Sequence, residues 1–316
     1  MATDWRPGAA LTALRARAKL LSDLRAFFAA QAVMEVETPL LCRAGVTDPA
    51  LEPLVVDTHE GLRFLQTSPE YAMKRLLAAG SGDIYQISKA FRAGEVGRRH
   101  NPEYTLLEYY RLDVDHRVLA REVAALVSRL LARDGWQVWP YRTLFRQLLQ
   151  VDPFHDPVSR LVTAAEAAAG EIPDDLDRDG LLDLLMSHAI EPQLAEWGVV
   201  VVTDYPASQA ALARTAVVDG EVVGCRFECY ADGVELANGY WELGDPHELR
   251  QRFHADNRRR LALGLPERPI DEAMLAAHEA GLPACAGVAL GVDRLLALQL
   301  GTRDIRDVVS FDWSRS

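Results

Sequence analysis

The chain has 316 residues, 49% of them hydrophobic, which is enough for one large domain or two ordinary ones around a sizeable core. Its formal net charge of -12 makes the surface as a whole a poor match for nucleic acid, because lysine and arginine drive binding to phosphates. No apolar run approaches the roughly 20 residues needed to cross a bilayer, and the N-terminal segment lacks the apolar core of a signal peptide. We therefore expect a cytoplasmic protein that does not enter a membrane.

The predicted elements alternate between helices and short strands. Apolar residues at helical spacing predict helices at residues 9–30, 69–79, 246–263, 270–280 and 293–300. Short apolar or alternating runs predict strands at residues 34–38, 53–57, 62–66, 83–91, 104–112, 199–204, 221–230, 234–241 and 287–292. Residues 116 to about 197 are rich in Ala and Leu, which predicts a helical insertion. The pattern favours a single α+β domain over residues 1–316, with a mostly antiparallel sheet flanked by helices.

The four cysteines contain no C-x-x-C pair, and their spacing favours buried, reduced core thiols over a zinc site. They are Cys42, Cys225, Cys229 and Cys285.

The stretch from Phe91 to Arg111 reads as the end of one strand, a loop at residues 92–103 and a second strand. The loop is called the basic loop below. It carries glycines, arginines and a histidine, and Asn101-Pro102 turns the chain into the second strand. A cationic loop of this kind can hold a polyanion above a sheet. Alternation along the second strand places Glu108 on one face with Tyr104 and Tyr110.

A carboxylate on such an apolar face is costly unless it is paired. Glu108 is therefore interpreted as a counter-ion for a substrate ammonium, or alternatively as one half of a buried ion pair with an arginine. The cationic loop suggests a ligand with phosphates, and the carboxylate of Glu108 on the sheet below suggests a ligand with an amine. ATP and a basic amino acid fit this pair of sites.

A second constellation lies in residues 226–242, where Asp232-Gly233 signals a hairpin turn. If Ala231-Asp232 is the two-residue loop of the hairpin, Glu228 lies directly opposite Glu235. If Asp232-Gly233 is the loop, the two residues lie diagonally on the same face. Like charges across a sheet are destabilising, so the pair predicts a cation between them, and Mg²⁺ fits beside a triphosphate. A solvated edge hairpin is the alternative. Strict alternation would point Glu242 away from Glu235, unless Asn238-Gly239 supplies a bulge.

A third constellation is the segment Gly287-Val-Ala-Leu-Gly-Val-Asp-Arg294, a strand that leads into a helix. Glycines allow a ligand to approach the backbone closely, and Arg294 in the first helical turn can clamp a phosphate. Tight helix–sheet packing, with Arg294 in a surface ion pair, is the alternative interpretation.

These three pieces, in this order, resemble the signature motifs of class II aminoacyl-tRNA synthetases. Pro39, after Glu35-Val-Glu-Thr38, resembles the first motif, which builds the dimer interface in that family. Residues 92–111 resemble the second motif and residues 287–294 the third. Three sequence segments, RHNPEYTLLEYY, GVELANGYWEL and GVALGVDRL, are similar to the corresponding segments of lysyl-tRNA synthetases.

The first motif begins near residue 31, where lysyl-tRNA synthetases carry an anticodon-binding domain upstream of it. We therefore expect no such domain, and the chain resembles the stand-alone elongation factor P–(R)-β-lysine ligases. That resemblance implies an AMP-forming ligase and a homodimer that uses ATP and Mg²⁺ to join β-lysine or lysine to elongation factor P, without tRNA. A truncated lysyl-tRNA synthetase and a non-catalytic amino-acid-binding pseudo-synthetase are the alternatives.

The resemblance also implies a role for individual residues. Arg92 and Arg294 would be the catalytic cations, and Glu228 and Glu235 would hold Mg²⁺. The nucleotide would be bound by Arg92, Ala93, Gly94, His100, Asn101, Tyr104, Glu235, Leu236, Gly291 and Arg294. The amino acid would be bound by Ser68, Pro69, Glu70, Glu108, Tyr110, Glu242 and Ala289.

Two positions depart from the tRNA ligases. Those enzymes have a glutamate two residues after the arginine of Phe-Arg, whereas here Glu95 follows Arg92 by three residues. The backbone of Ala93 and Gly94 is therefore expected to read the adenine in place of that glutamate. Ala289 stands where the tRNA ligases usually have glycine.

Overall fold

The computed structural model describes residues 5–173 and 175–316, so the start of the N-terminal segment considered above lies outside the described residues. The helices are Leu11–Ala29 (α1), Glu70–Ala78 (α2), His116–Leu131 (α3), Tyr141–Leu149 (α4), Val158–Ala169 (α5), Arg178–Leu185 (α6), Glu191–Leu194 (α7), Pro246–Ala262 (α8), Glu272–Gly281 (α9) and Val292–Gln299 (α10). The strands are Met34–Glu35 (β1), Leu41–Cys42 (β2), Val55–Thr58 (β3), Gly61–Leu65 (β4), Ile84–Phe91 (β5), Glu103–Leu112 (β6), Gln137–Pro140 (β7), Val199–Pro206 (β8), Thr215–Val218 (β9), Glu221–Ala231 (β10), Val234–Trp241 (β11) and Cys285–Gly291 (β12).

The chain divides into two compact units. The first comprises Met1–Asp113, Leu243–Cys285 and Ala289–Ser316, and the second comprises Val114–Glu242 and Ala286–Val288. The predicted helical insertion lies in the second unit and contains α3 to α7. Its description as an insertion into one domain stays a prediction.

In the first unit, α1 packs its apolar face onto the strand pair that carries the basic loop. Phe28 of α1 stacks on Tyr85 of β5, with ring centroids 4.3 Å apart, and contacts Tyr109 of β6 edge-on. Strand β1 pairs with β5 in parallel, and β5 pairs with β6 in antiparallel register, so that Gln86 lies opposite Glu108. Strands β2, β4 and β3 form a separate small sheet. These contacts fix both ends of the basic loop.

In the second unit, β10 is the central strand. It pairs antiparallel with β11 and β9 and also with β8, an all-buried, valine-rich strand that in turn pairs in parallel with β7. Helices α4 to α6 pack a separate apolar core against β8, around residues such as Phe145, Leu182 and Val200. In both units, antiparallel pairing predominates and helices flank the strands, which confirms the predicted α+β class.

Three short strands, β2, β7 and β9, were not predicted from the sequence. Periodicity cannot be recognised over so few residues. A turn of π-helix, Met186–Ile190, also joins α6 to α7. Pro192 follows it and has no N–H to donate to residue 188, which removes one bond of a regular α-helix.

Candidate active site

The predicted site residues fall in both units. In the first unit, Arg92 opens the basic loop. Its backbone N–H donates to the carbonyl of Pro102 at 2.9 Å, which closes the loop at its base. Its guanidinium lies 5.3 Å from the centre of the Tyr104 ring and 3.5 Å from the Glu95 carboxylate. Arg92 is thus a half-exposed cation beside the ring of Tyr104, which was also predicted to bind the nucleotide.

Two backbone contacts involve Ala93 and Gly94, in the segment that is one residue longer between Arg92 and Glu95 than in the tRNA ligases. The N–H of Ala93 donates to the carbonyl of Glu52 at 2.7 Å, and the carbonyl of Gly94 accepts from the N–H of Val96 at 3.0 Å. Gly94 has a φ of +79°, a conformation that favours glycine. The Ala93 donor is therefore already engaged, and Glu95 points back towards Arg92.

Arg294 lies over the other side of the basic loop. Its Nη2 is 2.6 Å from Nε2 of His100, and its Nε donates to the carbonyl of Arg99 at 3.4 Å. Burial lowers the pKa of His100, and the charge of Arg294 lowers it further. The neutral imidazole can therefore accept a hydrogen bond from the guanidinium. Structure thus brings His100 and Arg294 together, as a phosphate clamp requires.

Asn101 has both ends of its amide engaged within the protein. Nδ2 donates to the carbonyl of Glu103 at 2.7 Å, and Oδ1 accepts from the N–H of Trp313 at 2.9 Å. These contacts tie the basic loop to the C-terminal segment. In this arrangement Asn101 shapes the loop that carries His100.

Glu108 is buried, with 2% of its surface exposed, and accepts hydrogen bonds from the hydroxyls of Ser68 and Tyr110. Burial raises the pKa of Glu108 to about 8, and the nearby Glu70 carboxylate adds to the shift, while the two hydroxyls oppose it. Glu70 itself accepts from Lys74 at 2.5 Å. The donors to Glu108 are hydroxyls, which favours the substrate counter-ion over the alternative of a buried pair with arginine.

Ser68, Pro69, Glu70 and Arg92 line one cavity of about 370 Å³ in the first unit. This volume falls in the range of small-molecule sites. Its wall also contains the charged side chains Arg43, Arg63, Arg75 and Asp271. Four of the predicted residues are therefore gathered around a space that could hold a zwitterion.

Strand β12 and the start of α10 present two further predicted residues. Ala289 and Gly291 are partly exposed, whereas Val288 and Leu290 between and beside them are buried. Alternation thus places Ala289 and Gly291 on the open side of the strand, where small residues leave room for a ligand.

In the second unit, the hairpin of β10 and β11 turns at Asp232-Gly233, and Glu228 accepts from three side chains. They are the guanidinium of Arg226 and the hydroxyls of Tyr230 and, at 2.7 Å, Tyr205. Glu228 is buried, so the alternative of a solvated hairpin is wrong at this residue. Arg226 was not among the predicted site residues, although its position two residues before Glu228 places both on one face.

Arg226 supplies a cation near both acidic residues. Burial alone would lower the pKa of Arg226, but electrostatic interactions with Glu228, Tyr240, Tyr205 and Glu235 raise it overall. The protein therefore already holds one positive charge beside the carboxylates.

The bulge that redirects Glu242 lies earlier than predicted. Tyr230 pairs with Glu235 but Cys229 pairs with Ala237, so Leu236 is the extra residue, and the predicted bulge at Asn238-Gly239 is wrong. Counting alternation from Asn238, which pairs with Glu228, puts Glu242 on the same face as Glu228.

Gly239 has a different role from the one predicted for it. A Cβ built on it would lie 2.4 Å from the ring of Phe227 and 2.8 Å from the carbonyl of Gly287. Glycine is thus needed here for close strand packing.

No helix among the described residues has both the length and the apolar character to span a membrane. Within the same residues, no group of three or more His, Cys, Asp or Glu side chains is arranged to hold a metal ion.

The model of the family of class II tRNA synthetases for D, K and N matches residues 2–314. Among curated proteins, the elongation factor P–(R)-β-lysine ligase of Proteus mirabilis (strain HI4320) is 46% identical over 316 residues, which cover 98% of this chain and 97% of the relative. The protein of the same name from Vibrio cholerae serotype O1 is 46% identical over 99% of both chains. That of Mannheimia succiniciproducens is 44% identical over 97% of both. The chain therefore belongs to the elongation factor P–(R)-β-lysine ligase family, within the class II synthetase fold.

Proposed function

We propose that this protein is an ATP-dependent ligase that activates (R)-β-lysine, or lysine, as an aminoacyl-adenylate and transfers it to a lysine ε-amine of elongation factor P. Its relatives bear the name of that activity. The observation that carries the proposal is Glu108, a buried carboxylate with hydroxyl donors. Ser68, one of those donors, lines a cavity that also has Arg92 in its wall.

The nucleotide end of the proposal rests on the cations of the first unit. Arg92 would bind the α-phosphate, where charge develops during transfer, and Arg294 with His100 would hold the outer phosphates. Tyr104 would stack on adenine. The remaining nucleotide contacts are assigned to Ala93, Gly94, Asn101, Glu235, Leu236 and Gly291.

The amino-acid end rests on carboxylates. Glu108, Tyr110 and Glu242 would bind the side-chain ammonium. Ser68 and Glu70 would contact the other end of the amino acid. Pro69 and Ala289 would line the pocket.

Mg²⁺ is a further part of the proposal, with Glu228 and Glu235 as its protein ligands. Oε2 of Glu228 accepts from two tyrosine hydroxyls and Oε1 from Arg226, so one lone pair of Oε1 remains for a metal. That fits an ion that takes one or two carboxylates and completes its shell with water and phosphate. When bound, it would neutralise phosphate charge.

The reaction would proceed in two displacements. A carboxylate oxygen of the amino acid attacks the α-phosphorus, the bond to the β-phosphate oxygen breaks, and pyrophosphate leaves. The acceptor amine then attacks the adenylate carbonyl, and AMP leaves with the bonding electrons. Positioning and charge stabilisation supply the catalysis. The assigned residues include no general base, so the proton of the amine passes to substrate or water.

The proposal includes a cytoplasmic homodimer. Exposed apolar side chains in and next to the first motif support a dimer, and they are Met34, Leu40 and Leu41. The purified protein is then expected to sediment at twice the mass of one chain. A species with the mass of one chain at micromolar concentration would contradict this part.

ATP–pyrophosphate exchange with (R)-β-lysine and with lysine tests the activation step. Transfer of labelled amino acid to elongation factor P and to tRNA, measured in parallel, tests the acceptor. We expect exchange, followed by transfer to elongation factor P. Transfer to tRNA alone would instead indicate a truncated lysyl-tRNA synthetase, and binding without exchange would indicate a non-catalytic protein.

A further inference from the structure

The pairing between strands β10 and β11 ends just before Glu242. Arg226 pairs with Tyr240, but residues 221–224 of β10 pair with β9 and no longer with β11. Trp241 and Glu242 therefore need another backbone partner. Because Glu242 is 2% exposed, an unpaired peptide beside it would be costly.

Arg214 fills this gap with its backbone. Its N–H donates to the carbonyl of Trp241 at 2.9 Å, and its carbonyl accepts from the N–H of Cys225 at 2.9 Å. The preceding residue, Ala213, forms an antiparallel bridge with Glu242. Arg214 thus joins the two strands at the point where their own ladder ends.

The side chain of Arg214 holds the same two residues. Its Nε donates to the carbonyl of Glu242 at 3.2 Å, and its guanidinium carbon lies 4.2 Å from the centre of the Trp241 ring. A guanidinium at that distance from an indole attracts it. The backbone on either side of the Glu242 α-carbon is therefore bound to one residue.

The indole of Trp241 has a second neighbour besides Arg214, and this contact also holds the segment of residues 241–242. The imidazole of His116 lies nearly parallel to the indole, at 18° and 6.4 Å between centroids. Its Nε2 is 3.3 Å from Asp204, which also pairs with Arg117 at 3.0 Å. Asp204, near the end of β8, has a φ of +59°, a left-handed conformation that is uncommon for residues other than glycine.

We propose that Arg214 is a positioning residue for the amino-acid substrate, which acts by holding Glu242 in place. This inference rests on the proposed function, in which Glu242 binds the side-chain ammonium. A carboxylate that binds an ammonium in a buried site must be placed closely, and a displacement of about 1 Å can cost on the order of a hundredfold in rate. Arg214 itself does not contact the substrate.

The test compares Arg214→Ala with the wild type in ATP–pyrophosphate exchange. We expect the KM for the amino acid to rise on the order of ten- to a hundredfold, while the KM for ATP stays within about twofold. Arg133→Ala is the matched control, because Arg133 also pairs with a carboxylate of the second unit, Asp232, at 2.6 Å. It should leave both constants unchanged. An unchanged amino-acid KM in Arg214→Ala would overturn the inference.

A double-mutant cycle with Glu242→Gln separates positioning from a general structural effect. If Arg214 acts through Glu242, then Arg214→Ala combined with Glu242→Gln should be no slower than Glu242→Gln alone. Multiplicative losses would show that Arg214 acts elsewhere and would contradict the inference. Arg214→Lys keeps the charge over the indole but lacks the planar Nε donor, so it should give an intermediate KM. The same readouts on this variant decide the question if Arg214→Ala does not fold.

Failure of the inference can be told from failure of the proposed function. A wild type that shows no exchange with either lysine isomer removes the proposed function, and the inference with it. A wild type that is active and an Arg214→Ala variant with the same substrate constants remove the inference alone.

Discussion

Glu108 shows how one residue can be costly to the fold and useful to a site. Its carboxylate is buried, and two hydroxyls cannot fully replace the water it has lost. The pKa of about 8 means that the carboxyl group is mostly neutral at pH 7 in the ligand-free protein. An ammonium beside it would favour the charged form, so ligand binding and proton release are linked.

Binding of the amino acid is therefore expected to strengthen as the pH rises from about 6 to about 8, by up to tenfold in Kd per pH unit. Calorimetry in buffers of different ionisation enthalpy should detect a proton released on binding at pH 7. Glu108→Gln should bind more weakly and lose this proton release. A Kd that does not change with pH in the wild type would contradict the role of Glu108.

The same pKa affects the stability of the ligand-free protein. Because the folded value is raised from 4.5 to about 8, the contribution of Glu108 is fully present below pH 4.5 and is lost as the pH rises towards 8. Urea unfolding of the wild type should show this decline relative to Glu108→Gln.

At the scale of elements, the hairpin of β10 and β11 separates what the sequence can predict from what it cannot. The turn at Asp232-Gly233 is predictable, because Asp-Gly has a strong local preference for hairpin turns. The bulge at Leu236 is not, because it is set by the pairing of both strands over their whole length. The position of Arg226 on the same face as Glu228 could be inferred from alternation alone, whereas the role of Arg214, distant in sequence from Glu242, could not.

Gly239 tests the packing of this hairpin. Gly239→Ala is expected to lower the free energy of unfolding by about 1–3 kcal/mol, because the new Cβ would overlap the Phe227 ring and the Gly287 carbonyl. Urea denaturation measures this loss. Gly244→Ala is the control, since a Cβ there meets no atom within 4 Å among the described residues, and its effect should stay within about 0.5 kcal/mol. Equal effects of the two substitutions would contradict the packing argument.

Helix α1 is joined to the start of α10 through one buried carboxylate. Asp293 accepts from the guanidinium of Arg17 and, at 2.8 Å, from the N–H of Thr105 in β6. Arg17 also donates to the carbonyl of Val308 at 3.1 Å. Since Arg294 follows Asp293 directly, these contacts connect α1 to the residue proposed to clamp the nucleotide.

Arg17→Ala is expected to lower the free energy of unfolding by about 2 kcal/mol, because it leaves the buried Asp293 without its cation. Lys19→Ala removes an exposed pair with Asp23 on the same helix and should cost about 0.5 kcal/mol or less. Chemical denaturation of both variants makes the comparison. A loss in Arg17→Ala as small as that in Lys19→Ala would show that the link carries little energy.

At the scale of the whole molecule, the order of the motifs predicted the family. Three separate motifs in the correct order are far more specific for a family than any one of them. The α+β class followed from the alternation of long helical and short strand patterns. The division into two compact units could not be read from the sequence. No low-complexity linker marks it, and the first unit is assembled from segments far apart in the chain.

Ligand-linked stability tests the nucleotide clamp in the intact protein. At an ATP concentration 100 times its Kd, binding should raise the free energy of unfolding of the wild type by about 2.7 kcal/mol, visible as a higher melting temperature. Arg294→Ala should melt close to the wild type without ATP, since its contacts with the His100 ring and the Arg99 carbonyl lie at the exposed surface of the basic loop. It should lose most of the ATP-induced shift, because phosphate charge then goes unmatched. Arg250→Ala, which removes an exposed pair with Glu272 in the same unit, should keep the full shift. An equal shift in Arg294→Ala and the wild type would mean that Arg294 does not bind the nucleotide.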